Sequence, residues 1–289
     1  MSQSTPVLII VIFLIALLIG SFLNVVIYRL PIMIEREWRA QVTSFNDLSV
    51  KGGFKRFDLI LPRSHCVHCK RLITFFQNIP VLSYLFLKGR CAHCDKSISL
   101  KYPCIELLTA FLLTITVWHF KIGIEALMAV ILTATLIVIS VIDEDTQIIP
   151  DAIVMPLLWI GLCISLFDPL PNTVKLFISP SEAIIGALVG YLSLWSVFWI
   201  YKLFTRKDGF GYGDFKLLAA LGAWLGWQQI LLIIMISAIT GILVNITLIL
   251  FFGKNHNTPI PFGPYISAAG WVTMLWGDPI KNYYFNLII

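Results

Sequence analysis

The sequence predicts an all-α polytopic membrane protein, with about eight transmembrane helices and a cytoplasmic zinc-binding loop domain between the first and the second. Three observations predict this class. The 289 residues are 58% hydrophobic and only 13% charged, and a mean hydropathy of +0.87 is far more apolar than that of a soluble domain. The apolar residues form long runs, and most basic residues collect between the first two runs. Disordered and disulfide-stapled secreted proteins are therefore excluded.

The predicted spans follow from the lengths of the apolar runs. A helix needs about 20 apolar residues, with a range of roughly 17 to 25, to cross the hydrocarbon core. The run 215–252 would be about 57 Å long as one helix at 1.5 Å per residue, so we divide it at Trp227. Because its first part is short, a count of seven stays open. The eight predicted spans are 7–27, 105–120, 124–142, 153–167, 183–204, 215–227, 228–252 and 262–276.

The basic residues assign the two sides of the membrane. Placing alternate loops on opposite sides puts 18 of the 21 Lys and Arg on the side of the 28–104 loop. Loops rich in positive charge stay in the cytoplasm, so we predict this loop inside and both termini outside. The first run has no basic region before it and no small-residue cleavage site, so we interpret it as a retained helix rather than a signal peptide. Basic residues beside a membrane also attract anionic lipid.

Small and polar residues inside the spans predict contacts between helices. Glycines let two helices approach closely, and we expect this at Gly20, at Gly186 with Gly190, and at Gly222 with Gly226. Polar side chains in spans hydrogen-bond across helices. The residues expected to do so are Asn24, Glu106 and Asn245.

Two Cys-x-x-Cys pairs, separated by 21 residues, lie in the cytoplasmic loop. Each pair presents two thiolates on one tight turn, and two such turns complete the tetrahedral four-sulfur site that zinc prefers. Two disulfides or two redox-active dithiols are the alternatives, which a reducing cytoplasm and the lack of a thioredoxin-like setting disfavour. Because the loop is poor in apolar residues, a metal would replace a hydrophobic core. The predicted ligands are Cys66, Cys69, Cys91 and Cys94.

Two acids at the ends of apolar runs, Asp143 and Asp214, are predicted at the same cytoplasmic face. Two opposed carboxylates in a partly dry site share a proton, so one activates a water while the other donates to a carbonyl oxygen, as in aspartic proteases. Gly209, Gly211 and Gly213 would permit a positive φ or the close approach of an extended substrate. Ion translocation by the same acids, or helix capping by Asp214, are the alternatives.

These residues occur in an order that resembles bacterial prepilin peptidases, also called type IV leader peptidases. The resemblance covers about residues 18–276, and its Gly-x-Gly-Asp element is similar to that of presenilin-type intramembrane aspartyl proteases. The motifs that carry it are Gly20-Ser-Phe-Leu-Asn-Val-Val-Ile-Tyr-Arg-Leu-Pro31, the twin Cys-x-x-Cys loop, Asn78-Ile-Pro80, Tyr102-Pro103 with Glu106, Ile142-Asp143 through Ile149-Pro-Asp151, Gly211-Tyr-Gly-Asp-Phe-Lys-Leu217 and Pro261-Phe-Gly-Pro-Tyr265.

The resemblance implies an enzyme of the bacterial inner membrane with two activities. It would cut the basic leader from prepilins and type II secretion pseudopilins after a glycine, at the cytoplasmic face, with Asp143 and Asp214 as the catalytic aspartates. Such a substrate presents its leader in the cytoplasm and an apolar helix in the bilayer. The twin Cys-x-x-Cys loop implies a second activity, methyl transfer from S-adenosylmethionine to the new N-terminal amine, usually of phenylalanine. The loop has no Gly-x-Gly-x-x-Gly in a βαβ setting, so no donor-binding residues are predicted.

The predicted domains are a first transmembrane helix at 7–27, a cytoplasmic zinc-binding loop domain with the methyltransferase part at 28–104, and a multi-span aspartyl peptidase domain at 105–276. Two other classes of protein compete with this interpretation. A proton- or metal-coupled transporter with a zinc-binding cytosolic loop needs acids deep in several spans, and a non-enzymatic secretion platform needs no paired acids. No motif indicates a nucleic-acid partner, and a homo-oligomer stays open.

Overall fold

The computed structural model describes residues 4–45, 57–74, 76–167, 176, 178–206, 211–253 and 260–288. Across these ranges the protein is helical and has no β-strand, and one-turn 3-10 helices lie at Phe76–Asn78 and Trp227–Gln229. Gly209 and six basic loop residues used to assign the sides lie outside the described residues, namely Lys51, Lys55, Arg56, Lys175, Lys207 and Lys254. The helices are α1 (Ser4–Phe45), α2 (Leu82–Phe86), α3 (Lys101–Phe120), α4 (Ile124–Thr146), α5 (Asp151–Ile164), α6 (Pro180–Thr205), α7 (Tyr212–Leu225), α8 (Ile230–Phe252) and α9 (Gly263–Ile288).

Five helices in the described part of the chain are long and apolar enough to cross a membrane, namely α1, α3, α4, α6 and α8. The apolar helices α5 and α7 have 14 residues each, about 21 Å at 1.5 Å per residue, which is short for a 30 Å core. The all-α class and the several membrane helices are confirmed. Each of the eight predicted runs overlaps a helix, and the chain breaks its helix at Trp227 as expected. The count of eight spans and their sides stay predictions.

The chain forms two compact units, Met1–Trp118 and His119–Ile289. In the first unit, α1 and α3 pack through Gly20, where a Cβ would lie 2.9 Å from the Glu106 Cα. The Asn24 amide donates to the Tyr102 carbonyl at 3.1 Å. The predicted roles of Gly20 in packing and of Asn24 in bonding between helices are therefore confirmed.

The loop between α1 and α3 contains two turns with the same hydrogen-bond pattern. In the first turn, the Cys66 amide donates to the Arg71 carbonyl at 2.9 Å and the Lys70 amide donates to the Cys66 carbonyl at 3.0 Å. The second turn, which starts at Cys91, repeats both bonds at 2.9 and 3.0 Å. Isolated antiparallel bridges join the flanks of the turns, His65 to Leu72 and Arg90 to Ser97.

In the second unit, α7 lies at the centre and packs against α5, α6 and α9. Ten of its 14 residues are buried. Gly186 of α6 approaches so closely that a Cβ would collide with the Gly222 carbonyl, and a Cβ on Gly190 would lie 2.5 Å from the Leu218 carbonyl oxygen. The predicted glycine packing is confirmed, and it leaves α7 enclosed by other helices.

Candidate functional sites

The second unit brings the two predicted aspartates into one cavity of about 550 Å³. Asp143 lies one turn before the end of α4, and Asp214 is the third residue of α7. Their side chains are almost fully buried, at 5% and 7% exposed. Helices α4 and α7 therefore supply one carboxylate each, although the two residues are 71 positions apart.

Asp143 is held by the first residue of α9. The Gly263 amide donates to Asp143 Oδ2 at 2.9 Å. A Cβ at Gly263 would lie 2.6 Å from the same oxygen, so only glycine fits here without displacing the carboxylate. The positive end of the α9 dipole also faces Asp143. Gly263 belongs to the Pro261–Tyr265 motif, but this motif does not predict the contact with Asp143.

Asp214 is held differently from Asp143. The Gly211 amide lies beside the Asp214 carboxylate. Because Gly211 is the N-cap residue of α7 and Asp214 is the third residue of that helix, the alternative that Asp214 caps the helix is wrong. Oδ1 is buried and has no hydrogen-bond partner among the described residues. Burial and the negative charge of Asp143 raise the pKa of Asp214 to about 7. This side chain can therefore carry a proton near neutral pH.

Of the two described glycines before Asp214, Gly213 serves close packing, and neither has an unusual backbone conformation. Gly211 has φ −78°, and Gly213 is not among the residues with positive φ, so the expected positive φ is not observed at either position. Instead, a Cβ at Gly213 would lie 2.7 Å from the Ile149 Cβ. The close approach is to the α4–α5 connection, because the start of α7 packs directly on it.

An ion pair beside the cavity was not predicted. Both Asp151 oxygens accept hydrogen bonds from Lys216 Nζ at 2.7 Å. Asp151 is the first residue of α5 and Lys216 lies in α7, so this pair connects the two helices. In the sequence, Asp151 belongs to the Ile142–Asp151 motif, which does not indicate a partner for it. No local pattern links residues that are 65 positions apart.

In the first unit, the four predicted metal ligands lie together. Their Sγ atoms are all within 4.8 Å of one another, and Cys66 Sγ lies 3.9 Å from Cys94 Sγ. A tetrahedral zinc ion with Zn–S bonds of about 2.3 Å separates its sulfurs by roughly 3.8 Å, so the donor set and its spacing fit zinc. All four cysteines are free, so neither alternative disulfide is formed.

The pKa values of the four thiols also indicate a site for a cation. Hydrogen bonds from the backbone of Cys69 and His68 lower the pKa of Cys66 to about 6. The Lys96 amide acts in the same direction on Cys94, but burial and the neighbouring thiols raise the pKa of Cys94 to about 11. Four adjacent thiolates repel one another, and a divalent ion would remove that repulsion.

A larger cavity, of about 820 Å³, lies in the first unit between α1, α3 and the loop. Glu106 of α3 lines it and is 9% exposed. Glu106 Oε2 accepts a hydrogen bond from the Val81 amide at 2.8 Å. Its carboxylate also lies beside the side chains of Ser21 and Asn24 of α1, in agreement with the expected contact of Glu106 between helices. The cavity is large enough for a cofactor-sized molecule.

Comparisons with known proteins place both units in one group. Residues 14–120 match the Bacterial Peptidase A24 N-terminal domain, and residues 130–246 match the Type IV leader peptidase family. A prepilin leader peptidase/N-methyltransferase of Aeromonas salmonicida is 48% identical over 280 residues, which cover 96% of this chain and 94% of that protein. Proteins of the same name from Pseudomonas aeruginosa and Legionella pneumophila are 46% and 41% identical, covering 94% and 93% of this chain and 91% of each relative. No solved structure matches significantly. The matches support the leader-peptidase interpretation and not the transporter.

Proposed function

Because this chain belongs to the type IV leader peptidase family, we propose that it cuts prepilin leaders by aspartyl chemistry and then methylates the new N-terminus. The substrates would be prepilins and type II secretion pseudopilins, cut after a glycine. The observation that carries the peptidase part is the pair Asp143 and Asp214, which come from different helices, are both buried and line one cavity. Buried carboxylates in a membrane protein indicate function, because removing an ionisable side chain from water costs free energy and is rare without a functional role.

The surroundings of the two aspartates give them different roles. Asp143 faces a backbone amide and the positive end of α9, which suits the carboxylate that takes a proton from water. Asp214 has a pKa near 7 and an oxygen without a partner among the described residues, which suits the acid that donates to the substrate. The proposed catalytic pair is therefore asymmetric, with Asp143 as the base and Asp214 as the acid.

The reaction needs no group beyond water and these two side chains. Water loses a proton to Asp143 as its oxygen bonds to the scissile carbonyl carbon, while Asp214 gives its proton to the carbonyl oxygen. The tetrahedral intermediate then breaks its C–N bond. The nitrogen takes the proton that Asp143 holds, Asp214 regains its own, and the new amino terminus is released.

The methyltransferase part is assigned to the first unit. Its loop lies within the segment 28–104, which follows the first transmembrane helix at 7–27. Zinc held by Cys66, Cys69, Cys91 and Cys94 would join the two turns and stabilise the loop, in the manner of structural zinc sites. S-Adenosylmethionine would supply the methyl group as an electrophile.

The location follows from charge and from the apolar faces of the helices. Membership of the leader peptidase family supports the bacterial inner membrane, and the positive-inside rule supports a cytoplasmic side for the loop and the aspartates. Large apolar side chains such as Leu18, Leu188 and Leu250 are more than half exposed, which suits contact with lipid.

Cleavage of a synthetic prepilin leader peptide by the purified full chain in detergent tests this function. We expect cleavage after glycine, and a loss of roughly 1,000-fold with Asp143→Asn or Asp214→Asn, which is in the range of lost acid or base catalysis. Asp145→Asn is the matched control, because this acid lies on the same helix but is exposed. Undiminished cleavage by either active-site variant would remove that aspartate from the pair. Failure of the folded wild type to cleave would overturn the proposed function.

A further inference from the structure

We propose that the 820 Å³ cavity of the first unit is the methyl-transfer site, and that Glu106 binds the acceptor amine at its membrane end. This inference rests on the proposed methyltransferase activity. The residues that line the cavity all lie between Ser21 and Glu106, so the whole proposed site belongs to the first unit.

The two ends of the cavity differ in chemistry. The cavity follows α1 from Ser21 to Arg36, which are about 22 Å apart at 1.5 Å per residue. Ser21, Asn24 and Glu106 belong to the spanning helices α1 and α3 and define the first end. The other end is formed by aromatic and basic residues of the loop and of the extension of α1 beyond the predicted span, such as Arg36 and Phe57. A ligand at the first end lies close to the bilayer, and a ligand at the second end can arrive from the cytosol.

Glu106 is the feature that selects a cation. It is the only acidic residue among the described residues that line the cavity. The hydrogen bond from the Val81 amide, together with the neighbouring side chains of Ser21 and Asn24, holds the carboxylate in place. A fixed, largely buried carboxylate attracts an ammonium group more strongly than it would in water, because screening is weaker there.

The acceptor reaches this end because of its anchor. After cleavage, a prepilin-like substrate is an apolar helix in the bilayer with a new ammonium group at its end. That group lies at the membrane boundary, where Glu106 stands in the sixth position of α3. The amine therefore meets the carboxylate without the substrate leaving the membrane.

The loop end suits the methyl donor. Arg36 lies 4.2 Å above the Phe57 ring. The buried Arg29 instead donates to the carbonyls of Asp58 and Pro62 and so holds the loop beside this ring. The donor has an aromatic base that can stack on a ring, and a carboxylate that pairs with a guanidinium. Tyr28 and Tyr84 add two further rings to the cavity wall.

In the proposed methyl transfer, every proton and electron pair moves between the acceptor, the donor, Glu106 and water. The acceptor ammonium gives one proton to Glu106, and the freed amine lone pair attacks the methyl carbon of the sulfonium donor. The N–C bond forms as the S–C bond breaks, and its electron pair stays on sulfur, which becomes a neutral thioether. The product is a secondary ammonium, and Glu106 passes its proton to water.

A purely structural role for Glu106 is the competing explanation, because its bond to Val81 anchors the loop. Glu106→Gln separates the two roles. The glutamine carbonyl can still accept from the Val81 amide, but it carries no charge and takes no proton. Glu125→Gln is the matched control, because this glutamate is also buried in a spanning helix, at 6% exposed, and lines neither cavity.

The test uses the full-length protein in detergent, with three measurements on each variant. These are the Kd of S-adenosylhomocysteine by calorimetry, methylation of a peptide that already has a free N-terminal phenylalanine, and leader cleavage. We expect Glu106→Gln to reduce methylation at least 100-fold while Kd and cleavage change less than threefold. Phe57→Ala is expected to raise Kd at least tenfold and to leave cleavage unchanged.

The outcomes separate the inference from the function on which it rests. Wild-type methylation by Glu106→Gln overturns the role of Glu106. An unchanged Kd with Phe57→Ala overturns the donor site in this cavity, while the enzyme would still be a methyltransferase. A wild-type protein that neither binds the probe nor methylates the peptide refutes the methyltransferase activity itself.

Discussion

Replacing Gly263 with alanine tests the contact that holds Asp143. A Cβ at this position would lie 2.6 Å from Asp143 Oδ2, and 3.0 Å from both the carboxyl carbon and the Ile149 Cδ1 atom, whereas ordinary contact begins at 3.4 Å. The carboxylate must therefore retreat by about 0.8 Å, because Ile149 closes the other side. The hydrogen bond from the Gly263 amide, now 2.9 Å, would lengthen to about 3.7 Å, which is beyond hydrogen-bond range.

The size of the effect follows from the bond that is lost. A hydrogen bond to a charged group contributes about 1.5 to 3 kcal/mol, and each 1.36 kcal/mol changes a rate about tenfold. We therefore expect kcat/KM for leader cleavage to fall by about 10- to 160-fold. Methylation of a precleaved peptide should not change, because the first unit does not contain Gly263.

The assay is the initial rate of cleavage of a leader peptide, read by mass spectrometry, together with the thermal midpoint of each variant. Gly123→Ala is the control, because a Cβ there has no atom within 4 Å and its φ of 176° suits any residue. Cleavage by Gly263→Ala at the wild-type rate would refute the idea that this amide positions Asp143.

Three further predictions concern the pH dependence of cleavage, the bound metal and the Lys216–Asp151 ion pair. Burial and the neighbouring negative charge raise the pKa of Asp214 to about 7, so Asp214 carries its proton below that pH. The cleavage rate should therefore decline between about pH 7 and 9. A rate that does not change with pH in this range would contradict the role of Asp214 as the acid. Changing Cys66 and Cys91 to serine should reduce bound zinc from about one ion per chain to none, measured by plasma mass spectrometry, and should impair methylation more than cleavage; equal loss of both would count against separate roles. Lys216→Ala should lower the free energy of unfolding by about 1 kcal/mol or less, because the pair with Asp151 is partly exposed, and exchanging the two residues should restore the thermal midpoint. An exchange that restores nothing would mean that the pair does not stabilise the protein.

The sequence predicted those features that depend on local composition and on the cost of burial. Long apolar runs predicted the helices, and two acids at the ends of such runs predicted a paired site at one membrane face, because few other positions allow a carboxylate near a bilayer. The Cys-x-x-Cys spacing predicted a four-sulfur cluster, because each pair forms a turn on its own. Asp143, Asp214 and the four cysteines lie together as these patterns indicated.

The sequence did not predict contacts between distant elements. The amide of Gly263 is 120 residues from Asp143, and Val81 is 25 residues from Glu106. Such contacts are set by how helices and loops pack, which no periodic pattern records. The acidic residue in an apolar run was a usable signal for Glu106, but only the structure shows that it lines a cavity.

The repeated turns of the cysteine loop have a consequence for how a metal would be captured. Each turn is closed by its own backbone hydrogen bonds. Each therefore presents its two thiolates as a preorganised bidentate ligand before an ion binds. An ion that meets one turn therefore finds the second pair at a high effective concentration, set by the tether between the turns. Little ordering remains to oppose binding, so loss of the ion would separate two intact halves rather than unravel either of them.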